Sequence, residues 1–414
     1  MQQADGAGER HFAGFEQKYL ATHAPEIGQM ADLRRAGAVD DPVVARFVEI
    51  CPGAEDEAHM GILEPGGQRR QRLPRIEMRL LAKEQGLAET ACQIGFQRGE
   101  TRIVQPFPSI GAAGETLEVR GLPLGVMQLD GSEAEFERAL EQACGDWQRA
   151  APEVPMIACG MVGSAQGWRE ARYVEAPLGA GELTLLPIER SHGMPLWLVP
   201  GVIQRGSVPN VMRGEETQVF GLLDGDGDQV EPLLIGLPGS HSKWVTVEGG
   251  QLSRFQTFMT GEVYQALLGH TILGRTAVTS ESFNAAAFER GLRVARSSEG
   301  QAGPLSTIFS SRTLVLTGEL NGAAQADYLS GLLIGHELAA MTSVLQVPPS
   351  QPIVLIGNST LCARYLWALE HCGFESLRFA PEATAAGLWK IASGAGLIAT
   401  DTAGEPNVQP YARH

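Results

Sequence analysis

Several absences narrow the possibilities for this chain. Its six cysteines, Cys51, Cys92, Cys144, Cys159, Cys362 and Cys372, form no CxxC pair, and their spacing matches neither a zinc site nor a disulfide framework. No apolar run approaches the about 18 residues of a membrane-crossing helix. The best stretch, 328–345, is interrupted by His336 and Glu337. The N-terminus, MQQADGAGER, has no apolar core and does not read as a signal peptide. Positive charge is also scarce: 32 Lys and Arg against 48 Asp and Glu give a net charge of −16. That balance argues against nucleic acid or an anionic membrane as the main partner. A small anion remains possible, because a few local basic side chains and backbone N–H groups suffice to hold one. Together these features predict a cytoplasmic protein with reduced thiols.

The chain is long enough, at 414 residues, for two or three domains, and 43% hydrophobic with 19% charged residues is ordinary for a globular protein. Its character changes near residue 112. Residues 1–111 are rich in Arg, Gln, Gly and Glu, with a basic polar run at 68–75 (QRRQRLPR) and short helical patterns at 41–50 and 75–88. They show no set of alternating strands. This N-terminal extension is expected to be a small helical domain, a poorly ordered segment, or sequence foreign to the fold.

From Gly114 the pattern becomes regular. Strands are predicted at 116–120, 154–159, 196–199, 233–237 and 353–356, and a hairpin at 244–255 around Glu248-Gly249-Gly250. Helices are predicted at 215–223, 259–268, 326–344, 361–372 and 383–393, with Gly373 as a C-terminal stop. Another helix opens at Ser132-Glu133-Ala134-Glu135, a capping-box sequence, and carries Phe136, Leu140, Ala143 and Trp147 on one face. Strands, hairpin and helices recur twice, which predicts an α/β protein of two similar halves around a cleft.

Four segments carry candidate chemistry. In Arg213-Gly214-Glu215-Glu216 a carboxylate at a helix start could accept the proton of an attacking hydroxyl, although acidic residues also favour helix N-termini for purely local reasons. Gly239-Ser240-His241-Ser242, followed by Lys243, offers consecutive N–H groups and two hydroxyls to a phosphate, or is an ordinary Pro-Gly turn. Gly357-Asn358-Ser359 follows an apolar strand and opens a helix, where open α/β sheets bind ligands; a plain βα loop with a polar N-cap reads the same way. Gly160, Met161, Gly163 and Ser164 also follow a strand, with Trp168 close behind, and suit a polyol or keto acid or form a glycine-rich loop. The run Asp224-Gly225-Asp226-Gly227-Asp228 looks like a calcium loop only superficially, because Ile235 stands where the liganding Glu belongs.

With these segments in order, residues 114–391 resemble the 2-dehydro-3-deoxygalactonokinase family of the actin, hexokinase and Hsp70 ATPase superfamily. The motifs GMVGS (160–164), NVMRGEETQ (210–218), PGSHSKWV (238–245), TFMTGE (257–262) and YLSGLLIG (328–335) carry the likeness. The resemblance implies two RNase H-like domains closing on ATP, Mg²⁺ and a sugar acid, with transfer to its 6-hydroxyl. It implies a base at Glu215, with Glu216 as fallback, and phosphate and adenosine contacts at Gly239 to Lys243 and Gly357 to Ser359. Sugar contacts fall at Gly160 to Ser164, Trp168 and Arg213. Oligomeric state and metal ligands stay undetermined. The domains expected are an extension at 1–111, a first RNase H-like domain at 112–210 lacking its usual first hairpin, with 375–396 able to pack back on it, a second at 211–374, and a tail at 397–414. The family's first Asp-x-Gly-Thr-type turn has no match: residues 95–112 read GFQRGETRIVQPFPSIGA. Either the first hairpin is replaced or the upstream sequence is out of frame, and the abrupt onset of the likeness favours the second.

Overall fold

The computed structural model describes residues 91–96, 105–110, 116–122 and 125–398, apart from His192, 224–231, Glu281 and 381–382. The helical patterns at 41–50 and 75–88, the Asp-Gly run at 224–228 and residues 399–414 of the tail lie outside the described residues.

The first sheet is built from β1 (Ala91–Phe96), β2 (Gln105–Ile110), β3 (Thr116–Leu122), β4 (Met156–Gly160), β6 (Leu186–Ile188) and β7 (Leu196–Leu198), in the order β3-β2-β1-β4-β7-β6. Helix α1 (Glu133–Ala150) lies between β3 and β4 in sequence. A small sheet, β5 (Val174–Glu175), β8 (Val202–Gln204) and β9 (Asn210–Met212), leads into α2 (Glu215–Leu222).

The second sheet comprises β10 (Leu233–Leu237), β11 (Ser242–Glu248), β12 (Gln251–Phe258), β13 (Ile353–Ile356) and β14 (Leu377–Ala380), in the order β12-β11-β10-β13-β14. Its helices are α3 (Thr260–His270), α4 (Ala285–Ala295), the short α5 (Pro304–Thr307) and α6 (Ser310–Leu316), α7 (Gln325–Leu345), α8 (Ser359–His371) and α9 (Thr384–Gly394). In each sheet a three-stranded antiparallel meander is followed by strands parallel to its first member: β1 with β4 and β4 with β7, β10 with β13 and β13 with β14. This repeated strand order is the RNase H-like pattern of the actin-like ATPases.

The first sheet has a hairpin that the sequence did not predict. Strand β1 pairs with β2 at Ala91↔Ile110 and Cys92↔Ser109, and β2 runs along β3 from Gln105↔Leu122 to Ile110↔Thr116. Pro106 and Pro108 hide β2, because proline has no N–H for a ladder and argues against a strand between two neighbours. The β1–β2 pairs lie beyond both prolines. The segment 97–104 that joins β1 to β2 lies outside the described residues. The capping box is only half formed: Ser132 Oγ accepts from the Glu135 N–H at 3.3 Å, but the Glu135 carboxylate accepts from the Asp130 N–H at 2.6 Å. Asp130 itself takes the Ser132 N–H at 2.8 Å, an Asx turn that replaces the expected partner.

One core runs through both halves, from Ile157, Cys159 and Val199 through Val219 and Phe220 of α2 to Ile235, Val245 and Ile356, with Leu388 and Ile391 of α9. Helices α2 and α9 cross at glycines. A Cβ on Gly221 would lie 2.0 Å from the Ala383 carbonyl oxygen, and one on Gly387 would lie 1.8 Å from that of Thr217. The contact is sealed by Lys390, whose Nζ donates to the Gly221 carbonyl at 3.1 Å. Helix α7 is long and apolar enough to cross a membrane, yet most of it is buried in the second half, packed on α4. Its apolarity is that of a core helix, buried on several sides.

Candidate active site

Two turns lie side by side at the carboxyl ends of the parallel strands β10 and β13. Both strands are fully buried apolar runs, LLIGL and IVLI. After β10 the chain turns through Pro238, Gly239, Ser240 and His241 into β11. After β13 it turns through Gly357, at φ 135°, to Asn358, the N-cap of α8. A Cβ on Gly357 would lie 3.6 Å from the Pro238 carbonyl oxygen. The Asn358 side chain accepts from the Leu361 N–H at 3.0 Å, and Ser359 opens the helix, exposed. Helix N-termini and strand ends of this kind present N–H groups to anions. Among the described residues, nothing beyond its chain neighbours lies within 4 Å of a Cβ on Gly239, so these leave the space in front of that turn open.

The turn is backed by the start of α3. Gly261 packs so closely that a Cβ there would lie 2.5 Å from the Gly239 carbonyl oxygen. The Glu262 N–H donates to the Ser240 carbonyl at 3.0 Å, and the Glu262 carboxylate pairs with the His241 ring. His241 is therefore tied to a carboxylate at the edge of the turn.

The candidate base stands opposite. Strand β9 delivers Arg213 and Gly214, and Gly214 (φ 107°) meets Gly160 (φ 84°), its virtual Cβ 3.2 Å from the Gly160 Cα. Only glycines allow that approach at positive φ. The contact joins the 160–164 loop, at the carboxyl end of β4, to the N-terminus of α2. Glu215 is the first residue of α2. Its Oε2 accepts from the Arg213 N–H at 3.0 Å, and its Oε1 pairs with Lys243 Nζ at 3.1 Å. Lys243 is 3% exposed and also donates to the His241 carbonyl at 2.9 Å. Alternation along β11 sends Ser242 to one face and Lys243 to the other. The lysine thus faces Glu215 and links the 239–242 turn to the candidate base.

Glu216 is fully buried. Its carboxylate accepts from the Gly214 N–H at 2.7 Å and from the Thr217 hydroxyl at 3.1 Å. Burial, with the charge of Glu215 as a second cause, pushes its pKa up to about 7. No face is left to reach a substrate hydroxyl.

The sugar-contact candidates separate. Gly163 carries the Arg213 guanidinium close above it, with Nη1 3.1 Å from its virtual Cβ. Arg213 Nη2 donates to the Ala171 carbonyl at 2.8 Å, and the guanidinium stacks on Tyr173 at 4.4 Å. Its Nε and Nη1 are buried without a hydrogen-bond partner. Met161 is half-buried, while the buried Ser164 turns its hydroxyl back to the Met161 carbonyl at 2.8 Å. Trp168 does not join them. It is 8% exposed and stacks on Phe136 at 5.6 Å, so it supports the loop from the core and offers no face to a ligand. Thr260, Gly261 and Glu262 gained no site role from the sequence, although they stand in the TFMTGE motif. The close fit at Gly261 is a tertiary contact with no local signature.

No group of three His, Cys, Asp or Glu residues gathers among the described residues. The two carboxylates at the turns are paired, Glu215 with Lys243 and Glu262 with His241.

Two RNase H-like sheets, with paired turns at β10 and β13 and a carboxylate at the start of α2, define a kinase of the actin-like ATPase fold. The chain belongs to the 2-keto-3-deoxy-galactonokinase family, whose model matches residues 107–391. It is 34% identical over 266 residues to a 2-dehydro-3-deoxygalactonokinase of Escherichia coli (strain K12), covering 63% of this chain and 84% of that protein. It is 35% identical over 261 residues to a probable 2-dehydro-3-deoxygalactonokinase of Rhizobium meliloti (strain 1021), covering 58% and 81%. A crystal structure from Sinorhizobium meliloti, classed with the same enzymes, superposes with a TM-score of 0.64 at 29% identity, covering 75% of this chain and 99% of that one.

Proposed function

We propose that the chain transfers the γ-phosphate of ATP to the 6-hydroxyl of 2-dehydro-3-deoxy-D-galactonate in galactonate catabolism, acting in the cytoplasm. The observation that carries this reading is Glu215: a half-buried carboxylate at the start of α2, held by Lys243 beside the open Gly239 turn. Glu215 accepts the hydroxyl proton as the oxygen attacks the γ-phosphorus and the bond to ADP breaks. The N–H groups of the 239–242 turn hold the phosphates, and the Gly357-Asn358-Ser359 turn holds the adenosine. Mg²⁺ arrives on the ATP phosphates, and the metal asks for few protein ligands in such sites. The sugar acid lies along Gly160, Met161, Gly163 and Arg213, whose unpartnered guanidinium N–H groups suit an anion.

The test is incubation of the purified 414-residue chain with Mg·ATP and a panel of sugar acids and neutral sugars, read as ADP release and product mass. A phosphorylated 2-dehydro-3-deoxygalactonate supports the reading; a strong preference for a neutral sugar replaces it with another sugar kinase. One observation favours a second reading, a sugar-acid-binding protein without turnover: residues 95–112 hold no Asp-x-Gly turn. Ligand binding with no ADP release from any substrate would select it.

A further inference from the structure

A buried carboxylate lies beneath the 239–242 turn and takes no part in the chemistry above. Glu337, in the middle of α7, is 3% exposed. Its Oε1 accepts from Trp244 Nε1 at 2.8 Å and its Oε2 from the Tyr365 hydroxyl at 2.7 Å. These donors come from β11 and from α8, so two elements converge on one side chain of a third.

The network reaches the candidate nucleotide site through Tyr365. The Tyr365 hydroxyl lies 3.1 Å from Ser242 Oγ, which in turn lies 3.4 Å from the Gly239 N and 3.5 Å from its carbonyl oxygen. Tyr365 stands on α8, the helix that begins at the Gly357-Asn358-Ser359 turn. The two turns therefore share one buried anchor. A carboxylate is costly to bury, and burial pushes the Glu337 pKa up. An apolar side chain would fill the same volume without that cost, so the retained carboxylate calls for a role in fixing geometry. Buried polar networks whose members are all bonded hold their partners in one arrangement.

We propose that Glu337 is a positioning residue for the nucleotide: through Tyr365 and Ser242 it holds the 239–242 turn in register with α8. The proposal rests on the reading that the 239–242 and 357–359 turns bind ATP. It assigns to Glu337 no contact with either substrate.

The test compares two conservative variants that each remove one hydrogen bond to Glu337. Tyr365→Phe breaks the route to Ser242, whereas Trp244→Phe breaks a bond that leads to neither turn. ADP and sugar-acid affinities are measured by calorimetry on the full chain, alongside Tm. Tyr365→Phe is expected to weaken ADP binding about tenfold and leave sugar-acid binding within about twofold, the size of one lost bond to a charged group. Trp244→Phe is expected to lower Tm and leave ADP affinity unchanged. Glu337→Gln, whose amide can still accept from Trp244 and donate to Tyr365, is expected to lose less ADP affinity than Tyr365→Phe. Equal losses of ADP affinity in Tyr365→Phe and Trp244→Phe, tracking Tm, would make Glu337 a core residue only and overturn the proposal. Unchanged ADP affinity in Tyr365→Phe would overturn it too while leaving the kinase reading in place. No ADP binding by the wild-type chain would sink the nucleotide reading itself, and the Glu337 proposal with it.

Discussion

In the second sheet, β10 and β11 pair continuously from Leu233↔Val247 to Leu237↔Lys243, and the turn between them is Pro238-Gly239-Ser240-His241. In the first sheet, β1 and β2 meet at Ala91↔Ile110 and Cys92↔Ser109, and the segment between them, 97–104, reads QRGETRIV. The strand order is the same. The second meander has buried apolar strands and a turn open to a ligand, with Gly261 and Glu262 packed behind it. The first has a proline-containing middle strand and no Asp-x-Gly. Strand order thus follows from which backbone edges pair and which faces bury. The chemistry of a turn depends on the few residues in it, so one topology can carry the turn proposed to hold phosphate and an altered turn without its Asp-x-Gly.

The largest expected effect tests the side of the second sheet. Glu215→Gln is expected to lower kcat by about 10²–10⁴-fold with little change in KM, because it removes a general base and leaves binding intact. Glu216→Gln is expected to keep kcat near wild type, since Glu216 is buried among Gly214 and Thr217. The opposite pattern in steady-state kinetics would shift the assignment by one residue.

The altered side is tested by a chimera in which residues 1–112 give way to a family-type first hairpin. ATP-dependent phosphorylation of 2-dehydro-3-deoxygalactonate is expected to rise by about 10²–10³-fold, the worth of restored charge-stabilising donors. Full activity in the unmodified chain would mean that 97–104 supplies these contacts without an Asp, and the contrast between the turns would vanish.

A third test addresses the joint between the halves. Glu216, its pKa pushed up to about 7 by burial from the 4.5 of an ordinary glutamate, binds its proton more tightly folded than unfolded. Its contribution to stability is therefore full below about pH 4.5 and is lost as pH rises through about 7. The loss is of order 3 kcal/mol, at about 1.4 kcal/mol per tenfold in proton affinity. Denaturant melts across that window are expected to show this decline in wild type and a flatter profile in Glu216→Gln. Equal slopes would mean that Glu216 titrates as an ordinary carboxylate.

The smallest effects come from two glycines with opposite surroundings. Gly387→Ala pushes a Cβ into the Thr217 carbonyl and is expected to cost about 1–3 kcal/mol of stability, read as a lower Tm. Gly239→Val meets open space, so Tm is expected to hold while KM for ATP rises about tenfold as the side chain occupies the phosphate's place. If Gly239→Val lowers Tm and leaves ATP use unchanged, the turn is structural and the second sheet loses its claim to the nucleotide.

Much of the second half could be read from sequence. The runs LLIGL and IVLI, the hairpin around Gly249-Gly250 and the long helix ending near Leu345 carry strong local signals, and they lie where periodicity predicted them. The first hairpin was not legible, because Pro106 and Pro108 oppose a strand by local rules and only pairing with β3 overrides them. Strand β14 and helix α4 were also missed; the four residues of β14 are too few for alternation to show. The site was half legible. Glu215 and the 239–242 turn stand in recognisable motifs, whereas Trp168 looked like a sugar contact only because it follows a glycine loop in sequence. Its stacking on Phe136 depends on α1 lying beneath the sheet.

The sequence by itself determined the α/β class, the family, and the residue types at each turn, because these depend on local pattern and on which side chains can do the chemistry. Only the tertiary structure decided which of two adjacent glutamates faces the 239–242 turn. Helix geometry turns residues one apart by about 100°, so Glu215 reaches Lys243 while Glu216 points into the core. It also decided that Ser242 and Lys243 leave β11 on opposite faces, Lys243 toward Glu215 and Ser242 toward Tyr365 and the Glu337 of α7, because alternation sends neighbours to different sides and burial sets which side meets which partner.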